Sequence, residues 1–197
     1  MSNENSRSAS ACAFRLELSG GFLLLLSLTG FLCGREALLA ASLAAAVHEL
    51  GHLALILGQG SLPSQLSLDV SGASLRCRGP EPNVRQEFVR ALAGPAAGLL
   101  LWLLLRSSAS AYLHAAAGMS LMLSLVNLLP APGLDGGRIL DCLLTDVLEA
   151  DRWLRFSGWL GFLSALLTIA LGTLRSPQLF LYGLWILLRQ LRRRARD

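Results

Sequence analysis

One stretch constrains this chain more than any other: Ala37 to Leu57, ALLAASLAAAVHELGHLALIL, an apolar run of 21 residues. Its only charged or metal-binding side chains are His48, Glu49 and His52, in the pattern H-E-x-x-H. The hydrocarbon core of a bilayer takes roughly 20 apolar residues per helix, so this run is long enough to cross as one helix. Charge at that depth is costly and usually functional. On a helix, a spacing of four puts His48 and His52 on one face, one turn apart, where both imidazoles reach one ion. Glu49 is offset by one residue. It can stand beside the ion without binding it, where a general base belongs. The alternative is a pair of packed helical histidines bonded to backbone or water.

Composition agrees with a membrane setting. Apolar residues make up 53% of the 197 residues and charged residues 15%, against about 25% charged in a soluble domain. All 17 basic residues are arginine. They sit at the ends of apolar runs, which is the membrane pattern and not a nucleic-acid footprint. Cys12, Cys33, Cys77 and Cys142 have no C-x-x-C spacing and read as free thiols. Gly34-Arg35-Glu36, after the first apolar run, is not a small-x-small cleavage site, so no cleaved signal peptide is expected.

In chain order, residues 1–13 read as a disordered polar tail. Leu18 to Cys33 is a first apolar run, closed by a tight turn at Gly34-Arg35-Glu36. The H-E-x-x-H run follows and stops at Gly58 and Gly60. Leu66, Leu68 and Val70 then alternate with Ser67 and Asp69; after Ser71-Gly72, Ala73, Leu75 and Cys77 alternate with Ser74, Arg76 and Arg78. Period two about a Ser-Gly pair predicts a β-hairpin; the alternative is an irregular polar loop. Phe88 to Leu105 is a third apolar run, with small residues at Ala93-Gly94-Pro95 and Gly98 that allow a neighbouring helix to approach closely. Ala109 to Leu129 is a fourth, broken by NLLPAPGLDGGR (Asn127 to Arg138), whose prolines and glycines cannot continue a helix. Ile139 to Glu149 is amphipathic. Phe156 to Leu174 is a fifth run and Leu179 to Leu188 a sixth, before a basic tail.

These readings predict an all-α polytopic membrane protein of about six transmembrane helices, with a short cytoplasmic β-hairpin and a broken helix at the LDGG loop. The expected division is a catalytic membrane core over 14–149, two further transmembrane helices over 150–189 and a basic tail over 190–197. With six spans, both termini share one side. That side collects 14 arginines (Arg7, Arg15, Arg76, Arg78, Arg85, Arg90, Arg138, Arg152, Arg155, Arg189, Arg192, Arg193, Arg194 and Arg196), while Arg35, Arg106 and Arg175 fall opposite. The arginine-rich side is then cytoplasmic, with the hairpin and Asp135 on it.

A catalytic zinc site needs three protein ligands and an open fourth position. His48 and His52 supply two. His114 begins a run that enters from the opposite face and reads as a packed or interfacial histidine. Asp141, Asp146 and Glu149 lie on a solvated polar face, and Asp69 on a hairpin. Asp135, in the Gly/Pro-defined break, is the expected third ligand of one zinc ion. Zinc brings the pKa of a bound water towards about 7, and Glu49 takes its proton. Asn127 either stabilises an oxyanion or caps its helix. An exposed edge of the hairpin, around Leu68, Val70 and Leu75, would accept an extended substrate as a further strand.

HELGH in a spanning run, the AGP segment (Ala93, Gly94, Pro95) and NLLPAPGLDGGR together resemble the site-2 protease family of intramembrane zinc metalloproteases, peptidase family M50, and within it the compact stage IV sporulation protein FB type. The resemblance covers about Leu18 to Glu149. It implies that His48, His52 and Asp135 bind zinc, that Glu49 is catalytic, and that membrane-associated protein substrates are cut near their transmembrane segments in regulated intramembrane proteolysis. The implied partners are that substrate, the lipid bilayer, in keeping with a bacterial cell membrane, and a regulatory membrane protein; no nucleic acid is implied. Gly98 departs from the pattern, since many relatives carry a polar residue there, and the chain stops just after the sixth run where many continue into a regulatory domain. Two other readings compete. A non-enzymatic homologue or metal carrier would not need Glu49. A membrane-tethered soluble-type zincin is excluded by the apolar flanks Leu39 to Val47 and Leu53 to Leu57.

Overall fold

A computed structural model describes residues 15–69, 72–131, 133–144 and 150–175, with 183, 184 and 187. It contains strands β1 (Arg15–Leu18), β2 (Leu62–Asp69) and β3 (Gly72–Arg78), and helices α1 (Gly20–Cys33), α2 (Arg35–Gly58), α3 (Val84–Leu105), α4 (Ala111–Asn127), α5 (Asp135–Leu144) and α6 (Ala150–Arg175). The fold is therefore mostly helical with a small sheet, rather than all-α with a lone hairpin. The hairpin is present, β2 antiparallel to β3 from Leu62↔Arg78 to Asp69↔Gly72. A third strand, β1, lies parallel to β2 with Leu16 opposite Leu66 and Leu18 opposite Leu68. The order is β1-β2-β3. Pro63 is accommodated in β2 by a register shift between Pro63 and Gln65, since a proline cannot sustain a regular ladder.

Local chemistry sets the helix ends. Ser19 accepts from the Phe22 amide and starts α1. Gly34, at φ 85°, alone separates α1 from α2, so Arg35 and Glu36 belong to the helix and not to a turn. Helix α3 begins at Val84, four residues before the apolar run, because Asn83 and Gln86 form a reciprocal capping box, with bonds of 2.8 and 3.0 Å.

Two helices, α2 and α3, are long and apolar enough to cross a membrane by length and composition. Helices α1 and α4 and the segment 158–167 are shorter apolar stretches. Where six spans are expected, the described residues hold six helices α1–α6, of which two pass this test: β1 takes Leu18 from the first run, and α4 closes at Asn127. The sixth run lies outside the described residues except at 183, 184 and 187. So do residues 1–13, the basic tail, Val70 and the later part of the amphipathic segment.

Helices α2, α3 and α4 pack on one another, and α5 packs on α3. Most of the residues inside are small: Ala40, Ala44, Ala91, Gly94, Pro95, Gly98, Ala116, Ala117, Ser120 and Ser124 are buried, with His48, Ile56, Arg90 and Val126 the larger exceptions on these helices. Many large ones face out, including Leu24, Phe31, Leu32 and Leu104, each more than two-thirds exposed. Water-soluble folds bury residues of these types. Small residues inside with leucine outside is the arrangement of helices packed in hydrocarbon, where close backbone approach and interhelical hydrogen bonds replace apolar burial. One such bond runs from Ser120 Oγ to the Gly98 carbonyl at 2.8 Å.

The α2–α3 crossing is the tightest. A Cβ on Gly51 would lie 2.5 Å from the Ala93 carbonyl oxygen and 2.7 Å from the Ala97 Cβ. Gly118, exposed in the middle of α4, has nothing within 4 Å of such a Cβ. Gly51→Ala should destabilise the protein by about 1–3 kcal/mol through overpacking, whereas Gly118→Ala should stabilise it by up to about 1 kcal/mol through helix propensity. Unfolding of both variants in detergent checks the opposite signs.

Candidate metal centre

Helix α2 carries His48 and His52 on the face that meets α3. Helix α5 brings Asp135 to them from the break after α4. His48 Nε2 lies 3.1 Å from Asp135 Oδ2, His52 Nε2 lies 3.2 Å from the same oxygen, and the two Nε2 atoms are 3.3 Å apart. His48 and Asp135 are buried and His52 is half-buried. The three residues form a group able to hold a metal ion.

Hydrogen bonding accounts for this triangle only if the His52 ring is doubly protonated. His52 Nδ1 is 2.7 Å from the carbonyl oxygen of Arg90. A carbonyl only accepts, so Nδ1 carries the proton. In the neutral ring, Nε2 then presents a lone pair. That lone pair faces the Asp135 carboxylate oxygen and the His48 nitrogen, an arrangement that is repulsive unless a cation lies among them. A tetrahedral ion bonded at about 2.0–2.1 Å, as zinc is by histidine, holds its ligand atoms about 3.3 Å apart. The observed triangle has that size. Its donors, two imidazoles and a carboxylate, suit such an ion, and a backbone carbonyl on the far ring nitrogen is the usual support for a ligating histidine.

The residues around the triangle explain the motifs. A Cβ on Gly94 would collide with His52 Nε2 and lie 2.8 Å from His48 Nε2, so only glycine leaves room for both rings. Pro95 has no N–H for the Ala91 carbonyl, which loosens α3 beside the Arg90 carbonyl that His52 uses. After α4, the chain turns through Leu128 to Leu134, with Gly133 at φ 86°. A Cβ on Gly136 would collide with the backbone of Leu128 and Leu129, so the glycine lets the start of α5 pack onto the end of α4. Ala131 and Leu134 in the break are buried against Ala165 of α6. This packing holds Asp135 as the first residue of α5 rather than as a loop residue.

Asp135 turns Oδ2 to both imidazole nitrogens. Its other oxygen, Oδ1, lies 3.7 Å from Arg138 Nη1. Arg138 in turn donates to Glu87 Oε1 from Nε at 3.0 Å and from Nη2 at 2.6 Å, tying α5 to α3. Glu49 is half-buried beside the group, within electrostatic reach of His48, His52, Asp135 and Arg138, and has no hydrogen-bond partner among the described residues.

The remaining expected site residues lie elsewhere. Asn127, the last residue of α4, donates from Nδ2 to the Leu123 carbonyl one turn back at 3.0 Å. Leu75 is on β3, an edge strand. Leu68 is on β2, which is paired on both sides from Gln65 to Leu68 and offers no open edge there. Val70 lies outside the described residues. His114 is in the first turn of α4, about 20 Å along the helix from Asn127. Arg90 and Glu87 have no motif signal in the sequence; only the fold brings them to the site.

The family model for Peptidase family M50 matches residues 104–171, a stretch that holds Asp135 but not the α2 motif. No curated protein matches the sequence. Among solved structures, the chain is similar to a site-2 protease from Methanocaldococcus jannaschii, at 21% identity and TM-score 0.66 over 90% of this chain and 89% of that one. The fold is thus a site-2 protease fold, and the family match together with it supports a metalloprotease.

Gly94→Ala should lower metal affinity on the order of tenfold or more, because its methyl occupies the space of the imidazoles. Elemental analysis of purified protein, with Gly118→Ala as the reference variant, checks this.

Proposed function

We propose that the protein is a zinc-dependent intramembrane endopeptidase that cleaves membrane-associated protein substrates near or within their transmembrane segments, as in regulated intramembrane proteolysis. The observation that carries this reading is the convergence of His48, His52 and Asp135 at the spacing of a metal's ligand atoms, with the unpartnered carboxylate of Glu49 beside them. The likeness to a site-2 protease and the family match support the same activity, with the stage IV sporulation protein FB type as the proposed subfamily. The arginine distribution favours a multi-pass protein with its termini and active-site side cytoplasmic, and a bacterial cell membrane is part of the same proposal. A regulatory membrane partner is part of this proposal, as are a catalytic core over 14–149 and two further spans over 150–189.

His48 and His52, through Nε2, and Asp135, through Oδ2, would hold the ion. When bound, zinc polarises a carbonyl and acidifies a water molecule. Glu49 accepts a proton from the attacking water on its carboxylate and delivers it to the departing amide nitrogen. The His52 Nδ1–H stays on the Arg90 carbonyl throughout, so the ring keeps one orientation. Asn127 spends one of its two Nδ2 hydrogens on the Leu123 carbonyl, which leaves the second for a substrate.

Comparing membrane protein fragments in cells carrying the wild type and Glu49→Gln tests the activity. Glu49→Gln should retain zinc and lose cleavage, because it removes the base and keeps the ligands. Asp135→Asn should weaken zinc binding, since a neutral amide is a poor ligand for it. Fragments that are the same in both strains would exclude proteolysis, and metal loss in Glu49→Gln alone would reverse the assigned roles.

A helical substrate hides its carbonyls in i→i−4 bonds, so its backbone must be opened and received. With β2 covered by β1 from Gln65 to Leu68, the receiving edge on the hairpin is β3, and Leu75 marks it. Leu75→Pro should reduce cleavage with zinc content unchanged, because proline removes a strand donor and bends the edge. Normal cleavage by a folded, metal-loaded Leu75→Pro variant would end this part of the proposal.

A further inference from the structure

We propose that Arg90 is a positioning residue, whose side chain clamps α3 to the end of α2 and so holds its own carbonyl on His52 Nδ1. The inference rests on the metal reading above.

Arg90 touches α2 at two levels. Its carbonyl meets His52 Nδ1 at 2.7 Å. Its side chain, in a residue only 7% exposed, donates from Nε to Gln59 Oε1 and from Nη2 to Ser61 Oγ at 2.8 Å. Gln59 caps α2 and Ser61 immediately precedes β2. The Gln59 amide has one consistent orientation: an arginine only donates, so Oε1 faces Arg90, and Nε2 is left to donate to the Gln86 carbonyl at 3.5 Å, one turn earlier on α3. Gln59 lies two turns beyond His52, about 10 Å along the helix axis. A single contact would leave α2 free to rotate or slide against α3. Contacts two turns apart remove both motions.

The rotation matters because the His52 tautomer depends on it. If α2 turned enough to lose the Arg90 carbonyl, the proton could move to Nε2, and the atom facing Asp135 would become a donor instead of a ligand. The clamp is also an expensive one. Among the described residues, Arg90 has neutral acceptors and no carboxylate, and a buried guanidinium without an anion is disfavoured. An arginine serving only as a membrane-surface anchor would extend its head to water; this one is turned inward.

The test uses the full chain purified in detergent, with zinc affinity measured by chelator competition and the site geometry read from the absorption spectrum of the cobalt-substituted protein. The wild type should bind one ion and His48→Ala should bind it far more weakly. Equal binding by these two, or none by the wild type, would overturn the metal reading and the clamp with it. With that established, Arg90→Met should weaken zinc by about 10–100-fold and shift the cobalt spectrum. Ser61→Ala should shift both in the same direction by less. Adding Ser61→Ala to Arg90→Met should cost nothing further, since the two remove one interaction. A purely structural arginine would lower the unfolding temperature and leave zinc affinity unchanged, and that result would overturn the proposal. If Arg90→Met does not fold, Gln59→Met combined with Ser61→Ala removes the clamp while keeping Arg90. Wild-type zinc affinity in that variant would overturn the proposal equally.

Discussion

The structure depends on one close approach, that of α3 to α2 with no side chain between the backbone at Gly94 and the rings of His48 and His52. Everything nearby follows from that distance. The backbone comes near enough for the Arg90 carbonyl to take the His52 proton on Nδ1, and this turns the Nε2 lone pair towards Asp135. The same approach fills the interior with alanine, glycine and serine, so the large side chains have nowhere to go but outward. In water, that surface would cost more than the interior returns. In hydrocarbon it costs nothing, and the chain is left to be held by close packing and by bonds such as Ser120 to Gly98.

Asp135 reaches the histidines by a separate device. The chain leaves α4, turns through a break that α6 covers at Ala165, and starts α5 with Asp135 already in place. Gly136 lets that start press onto the Leu128–Leu129 backbone, so the break acts as a rigid arm. Irregular backbone of this kind is tolerated only where protein surrounds it. The Glu87–Arg138 pair then ties the arm to α3, the helix that already positions His52. Both halves of the metal group are therefore referred to α3.

The sequence made the chemistry more legible than the fold. H-E-x-x-H and LDGG stand out because few residue types bind metals and because charge is scarce in an apolar chain. Their meeting in space could be reasoned from which end of which run each occupies. The strand β1 was not legible: Arg15 to Leu18 alternates, but four residues leading into an apolar run look like the start of that run, and their pairing partners lie about fifty residues away. Helix α3 was read four residues short because its start is set by the Asn83–Gln86 capping box, a polar signal outside the apolar pattern. Arg90 was legible only as one more charge on the positive side. A buried role for an arginine depends on what surrounds it, and periodicity carries no such information. Which strand of the hairpin keeps an open edge is hidden for the same reason as β1, since an edge strand cannot be recognised until the sheet's order is known.

Charge balance bears on which ion the group can hold. With both histidines neutral, Asp135 and an ionised Glu49 contribute two negative charges, while Arg138 and Glu87 cancel as a pair. Arg90 is directed away, to Gln59 and Ser61. Without a cation, two carboxylates would share a partly buried space in which repulsion is poorly screened, and protonation would be the only relief. A dication brings the set to neutrality and allows both carboxylates to stay ionised, one binding and one free to act as a base. A monovalent ion would leave excess negative charge, and a trivalent ion excess positive charge, in a site flanked by apolar helices. The charge of the group therefore suits a doubly charged ion, in keeping with the zinc of the proposed function.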